Sequence, residues 1–191
     1  MAHHPRVKVC GLTRGADASL AARLGAHAIG FICTPGLSRS VAPASIPALT
    51  ARADAEPVLV FRSPSVEEVD AAVRDSGVRT IQLHRTGPEV VAALHRRYRV
   101  VVAHEVLVPG TVDAPTLIDS GAGGTGHSFD WSRLAPAAPE FTWIAGGIRP
   151  ENITTLLAWR PWGIDVSSGV ESAPGVKDAA RLEALFGALI G

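Results

Sequence analysis

Two cysteines, one methionine and one tyrosine are all the chain holds of those residues, and aromatic side chains make up only 5% of it. Each scarcity excludes something. Cys10 and Cys33 are too few for the disulfide framework of a small secreted domain, so thiols in a reducing compartment are expected. An excess of one charge is also missing, since Lys plus Arg and Asp plus Glu both number 18. With neither a basic surplus nor a supply of stacking rings, nucleic acid is not an expected partner. No apolar run approaches the roughly 18 residues of a membrane span, and the N-terminus lacks a charged region followed by an apolar core and a cleavage site. The expectation is a cytoplasmic protein with no membrane partner. His3 and His4 read as solvated residues of a loose terminus, not as metal ligands.

What the chain does have is a steady alternation. Its 191 residues, 47% of them hydrophobic, suffice for one core burying about 70% of the unfolded surface, and a single domain over 1–191 is expected. Apolar, β-branched runs predict strands at 7–12, 26–33, 57–62, 80–84, 99–106, 116–120, 141–147 and 163–169. Amphipathic segments between them predict helices at 14–24, 42–53, 65–77, 87–98, 149–160 and 177–190, the third opened by Ser65 with Glu68 three residues on. Strand, helix, strand repeated eight times points to an α/β fold of the closed (β/α)8 barrel type, with an open doubly wound sheet as its rival. Between strands five and six LVPGTVDAP carries two prolines and no helical period, so the fifth helix is expected to be absent or reduced to a turn. Only FDWSRLAP is left to make the sixth.

In such barrels the working residues lie where strands end and loops begin. The residues there are Cys10, Ser38 and Arg39, Arg62, His84, His104, Asp119, the glycines Gly146 and Gly147, and Asp165 with Ser167, Ser168 and Gly169. Glycines that let backbone N–H groups approach a ligand, with serine hydroxyls beside them, suit an anion such as phosphate. Arg39, in the proline-bounded loop GLSRSVAP, suits a carboxylate. Asp119 follows TLI at a strand end, where partial dehydration favours a protonated general acid. Cys10 taken alone reads more readily as a small core residue than as a nucleophile or base. GAGGTG at 121–126 satisfies G-x-G-x-x-G but comes after the sixth strand with no long helix behind it, so a mobile loop over the barrel mouth is expected instead of a dinucleotide site. A metal triad of His84, His104 and Asp119 is conceivable but lacks a second tight pair of ligands, and no metal is expected.

VKVCGLT, GAHAIGFI, SRSV, TIQLH, LIDS followed by GGTGHSFDW, AGGIRPENI and DVSSGVESAPGVKD, in that order, resemble the phosphoribosylanthranilate isomerase family of tryptophan biosynthesis. The resemblance implies a cofactor-free Amadori rearrangement of N-(5-phosphoribosyl)anthranilate. It implies Cys10 as general base and Asp119 as general acid, Arg39 on the anthranilate carboxylate, and Gly146, Gly147, Ser167, Ser168 and Gly169 on the phosphate. Asp165 would orient the sugar or its loop, and His84 would form an active-site wall. The partner is then a small phosphosugar substrate, and the assembly a monomer or homodimer. Two positions depart from the family pattern: Val102 stands where a lysine is usual, and Arg85 where a glycine follows the histidine. A barrel that has lost catalysis and serves as a phosphosugar-binding or partner subunit is the other function considered. A broadened aminoaldose isomerase would need a second anion loop in the first half of the chain, and none is evident.

Overall fold

A computed structural model describes residues 4–104, 116–119 and 141–190. Eight parallel strands close into a barrel in sequence order. They are β1 (Arg6–Val9), β2 (Ala28–Ile32), β3 (Glu56–Arg62), β4 (Thr80–His84), β5 (Arg99–His104), β6 (Thr116–Ile118), β7 (Thr142–Ala145) and β8 (Gly163–Val166). Closure is carried by β1 against β8, where Lys8 faces Asp165 and Val9 faces Val166. The expected doubly wound alternative is thereby excluded.

Residues alternate between the two sides of each strand, so the barrel has two distinct interiors. On the outside, Val7, Val9, Ile29, Leu59, Ile81 and Ile164 join helix residues such as Ala18, Val69 and Leu182 in one continuous apolar layer. On the inside, two small apolar groups remain, Cys10 with Ala28, Val58 and Val60, and Val101 with Leu117, Trp143 and Ala145. Polar Lys8, Gln82 and Asp165 are buried as well. Gly163 makes room for the Trp143 ring, whose nearest atom would lie 2.7 Å from an added Cβ.

Six α-helices occur among the described residues: α1 (Gly15–Arg23), α2 (Ile46–Thr50), α3 (Val66–Ser76), α4 (Pro88–His95), α5 (Ile153–Leu157) and α6 (Ala179–Ile190). The best-specified is α3. The Ser65 hydroxyl accepts from the Glu68 N–H and the Glu68 carboxylate from the Ser65 N–H, while Gly77 closes the other end at φ 73°. Two helices fall furthest short of the sequence pattern. Pro43 restricts the start of the second to a 3-10 turn (Pro43–Ser45) ahead of α2, and α5 begins only at Ile153, because Asn152 uses its side chain on the preceding turn, and stops before Pro161. Among the described residues the barrel thus has fewer than eight full helices. The expected loss of the fifth helix, the FDWSRLAP segment and the GAGGTG loop lie outside the described residues.

Two further differences concern the chain's ends. Residues after β8 form a hairpin, β9 (Glu171–Ala173) against β10 (Val176–Lys177), turning at Gly175 with φ 81°, so α6 starts two residues later than predicted. His4, expected to be loose, hydrogen-bonds through Nδ1 to the Leu189 carbonyl at 2.7 Å.

Candidate active site

Every residue expected to bind substrate or act in catalysis lines one cavity of about 450 Å³ at the C-terminal ends of the strands. Cys10 follows directly on β1. Its N–H bonds to the Val166 carbonyl of β8 at 2.8 Å, and its own carbonyl accepts from the Ser167 hydroxyl at 3.1 Å. Gly11 then turns the chain at φ +73°, and Arg39 Cδ lies 2.7 Å from where its Cβ would stand. Both the conformation and the crowding require glycine there. Asp119 continues β6 by one residue, its N–H bonded to the His104 carbonyl at 2.9 Å. Cys10 and Asp119 thus reach the same cavity from strands three places apart around the ring.

The cavity floor holds a charged chain of contacts that was not foreseen from the sequence. Lys8 Nζ donates to Asp165 Oδ2 at 2.7 Å and to Gln82 Oε1 at 2.9 Å, and all three residues are buried. Burial pushes the Asp165 carboxyl up and the Lys8 ammonium opposes it; the same contact holds Lys8 above its ordinary range despite burial. The ordinary values of the two groups lie so far apart that the proton stays on nitrogen. Because the ammonium can only donate, it fixes the Gln82 amide with its oxygen toward Lys8. The Gln82 nitrogen, 2.8 Å from His84 Nε2, therefore donates to that ring atom, which leaves the His84 proton on Nδ1. A signal for Lys8 existed: a lysine in the middle of a strand buried on both faces must have a buried partner.

Arg39 reaches the cavity wall from the loop after β2, but its guanidinium edge is engaged. Nε and Nη2 donate to Glu171 at 2.9, 3.1 and 2.7 Å, and Lys177 Nζ meets the same carboxylate at 2.8 Å. Burial pushes Glu171 up, but the two cations outweigh it and hold the carboxyl below its ordinary value. Burial pushes Lys177 down. Neither Glu171 nor Lys177 was singled out from the sequence.

The two glycine loops come together beside this cluster. Gly146 and Gly147 have φ of 96° and 63°. Asn152 braces that turn, donating to the Gly147 carbonyl and accepting from the Arg149 N–H, each at 2.9 Å. Gly169, in the 3-10 turn Ser168–Val170, sits so close to the Ile148 carbonyl that an added Cβ would lie 2.0 Å from its oxygen. Glycine there is a condition for the two loops to touch. Of the departures noted, Val102 packs into the outer apolar layer and not the cavity, whereas Arg85 lines the cavity at φ 49°, a conformation glycine adopts more readily. Among the described residues no group of three or more His, Cys, Asp or Glu side chains could hold a metal ion.

A closed eight-stranded barrel with acid, thiol, guanidinium and glycine loops gathered at one mouth defines a (β/α)8 enzyme acting on a small molecule. Residues 7–188 match the family model described as N-(5'phosphoribosyl)anthranilate (PRA) isomerase. An N-(5'-phosphoribosyl)anthranilate isomerase of Stenotrophomonas maltophilia (strain R551-3) is 36% identical over 200 residues, covering 94% of this chain and 90% of its own. The crystal structure of the Thermus thermophilus phosphoribosyl anthranilate isomerase superposes with a TM-score of 0.88 at 37% identity, covering 97% of this chain and 98% of that one. A phosphoribosyl anthranilate isomerase in complex with reduced 1-(o-carboxyphenylamino)-1-deoxyribulose 5-phosphate superposes with a TM-score of 0.86 at 27% identity, over 98% and 99% of the two chains. The chain belongs to the phosphoribosylanthranilate isomerase family, and its activity is the isomerisation of phosphoribosylanthranilate in tryptophan biosynthesis.

Proposed function

We propose that the chain, as one catalytic barrel domain, carries out this isomerisation without a cofactor, converting N-(5-phosphoribosyl)anthranilate to 1-(2-carboxyphenylamino)-1-deoxyribulose 5-phosphate with Asp119 as general acid and Cys10 as general base. Asp119 protonates the furanose oxygen as the C1–O bond breaks, and the anilino nitrogen supplies the electrons that make the Schiff base. Cys10 as thiolate then takes the proton from C2, giving an enolamine. Loss of the enol proton and gain of one at C1 yield the ketone, so protons move but no atom is gained or lost. A buried thiol can serve as a base near neutral pH only as far as nearby positive charge offsets the cost of ionising it, and Lys8, Lys177 and Arg39 supply positive charge here.

The remaining roles follow from position. Glu171 holds one edge of the Arg39 fork, which orients the other edge for the anthranilate carboxylate. Gly146, Gly147, Ser168 and Gly169 offer backbone N–H groups to the phosphate, with Ser167 tying that loop to Cys10. Among the described residues Asp165 Oδ1 has no hydrogen-bond partner and suits a sugar hydroxyl, while His84 forms the wall. The bound molecule in the 27%-identical relative, which joins a carboxyphenyl group to a phosphosugar, supports this layout. So does the observation that carries the reading: Cys10 and Asp119 wall the same cavity, with a guanidinium and two glycine loops around it. A cytoplasmic setting, as monomer or homodimer, is part of the proposal. Among the described residues no helix is long and apolar enough to cross a membrane.

The test is a fluorescence assay following loss of phosphoribosylanthranilate. Cys10→Ser and Asp119→Asn should each lower kcat by orders of magnitude with KM little changed, because both act on proton transfer. Wild-type turnover in either variant would refute the assignment.

A further inference from the structure

We propose that Lys8 is a positioning residue for the reaction: its ammonium, pinned between Asp165 and Gln82, is the cation that stabilises the Cys10 thiolate, and Gly30 is what allows the two side chains to meet. This rests on the reading of Cys10 as the base. Lys8 and Cys10 are two residues apart on one strand direction and so point to the same side, into the barrel. Both converge on Gly30 of β2. A Cβ built there would lie 2.8 Å from Cys10 Sγ, 3.1 Å from Lys8 Cε and 3.2 Å from Lys8 Nζ. The sulfur and the ammonium therefore flank a single point, with no backbone between them.

The donor count agrees with this. An ammonium has three N–H bonds; Gln82 Oε1 and Asp165 Oδ2 take two, and the third is left for the sulfur. Four charged groups bear on the thiol: Lys8 from β1, Asp165 from β8, Lys177 from β10 and Arg39 from the loop after β2. Burial holds the thiol above its ordinary value, and Lys8 is the strongest pull in the other direction. Lys177 and Arg39 share the Glu171 carboxylate, which cancels much of their field at the sulfur. Asp165 acts against ionisation but fixes the ammonium in place. Lys8 is thus held where it can stabilise a thiolate without itself touching the substrate.

The experiment measures the pH dependence of Cys10 alkylation by iodoacetamide in the folded protein without substrate, read by mass spectrometry, alongside the pH profile of kcat/KM. Lys8→Met should raise the alkylation midpoint by at least about one pH unit, roughly a tenfold loss of thiolate at a fixed neutral pH, and the kcat/KM profile should shift with it. Lys8→Arg should recover part of that shift. Asp165→Asn keeps the cation and removes the opposing anion, so it should move the midpoint down; it decides the matter even if Lys8→Met fails to fold. An unchanged midpoint in folded Lys8→Met, or an upward shift in Asp165→Asn, would overturn the inference while leaving the base assignment standing. Full turnover in Cys10→Ser would instead remove the base assignment, and with it the catalytic meaning of Lys8, whatever the midpoints.

Discussion

Adding a single methyl group at Gly30 should separate catalysis from folding. In Gly30→Ala the new carbon would stand 2.8 Å from the Cys10 sulfur, where ordinary contact begins at 3.4 Å, so the sulfur must retreat by more than half an ångström. Lys8 Cε and Nζ, at 3.1 and 3.2 Å, must give by a few tenths. All three atoms are side-chain ends, so the strand itself can stay in place. Overpacking of this kind costs about 1–3 kcal/mol, and at about 2–4 °C per kcal/mol for a domain of this size the melting temperature should fall by roughly 2–12 °C. The effect on rate should be out of proportion to that. Misplacing a reacting group by a fraction of an ångström to one ångström costs on the order of 10- to 100-fold. KM should move little, because Arg39 and the glycine loops are elsewhere. Thermal melts and progress curves of substrate fluorescence at saturating substrate give both numbers. If kcat and the melting temperature both match wild type, the crowding at Gly30 is not as described, and the meeting of Lys8 and Cys10 falls with it.

Other outcomes follow from separate contacts. Gly187→Ala, on the exposed side of α6 with nothing within 4 Å of the added carbon, should raise stability by about 0.5–1 kcal/mol without changing turnover, as urea titration would show. Glu171→Gln leaves Arg39 and Lys177 facing each other without their shared anion, and should cost about 3–5 kcal/mol at neutral pH. Because the Glu171 pKa is depressed on folding, its contribution is present above the unfolded value of about 4.3 and is lost as pH falls through the lower folded value. Urea titrations at pH 6 and pH 3 should therefore show the gap between wild type and Glu171→Gln narrowing in acid; a constant gap would count against it. Ser65→Ala removes the α3 cap and should cost about 1 kcal/mol, with kcat unaffected. Burial pushes the Cys33 thiol up to about 12, so in native protein at pH 8 it should resist iodoacetamide until the chain is unfolded.

The architecture was legible because a parallel barrel strand is buried on both faces and so reads as a dense apolar run whatever its neighbours do. The strand-end residues were legible for a related reason: a polar or glycine residue closing such a run has to be explained. Strand and helix ends were less so, since Asn152 and Pro43 redirect the backbone through contacts that periodicity does not register. The linkages within the site were hidden most deeply. Arg39 and Glu171 are 132 residues apart, and Lys8 and Asp165 are 157 apart; only closure of the ring brings them together. Arg39 in isolation looks like a solvated arginine or a ligand clamp, and nothing local reveals that a glutamate already holds one of its edges. Lys8 and Gln82 look like the ordinary polar partners of an alternating strand, although both lie on the inside of the barrel.

The bond between His4 and Leu189 places the start and the finish of the described chain beside each other, just ahead of β1. Strands enter the barrel on that side and leave on the side where the cavity opens. A polypeptide fused at either terminus would therefore emerge from the base, with the full height of the cylinder between it and the reacting sugar. Bifunctional fusions and short tethers joining residues 4 and 189 are accordingly arrangements this scaffold can accept without obstructing its mouth.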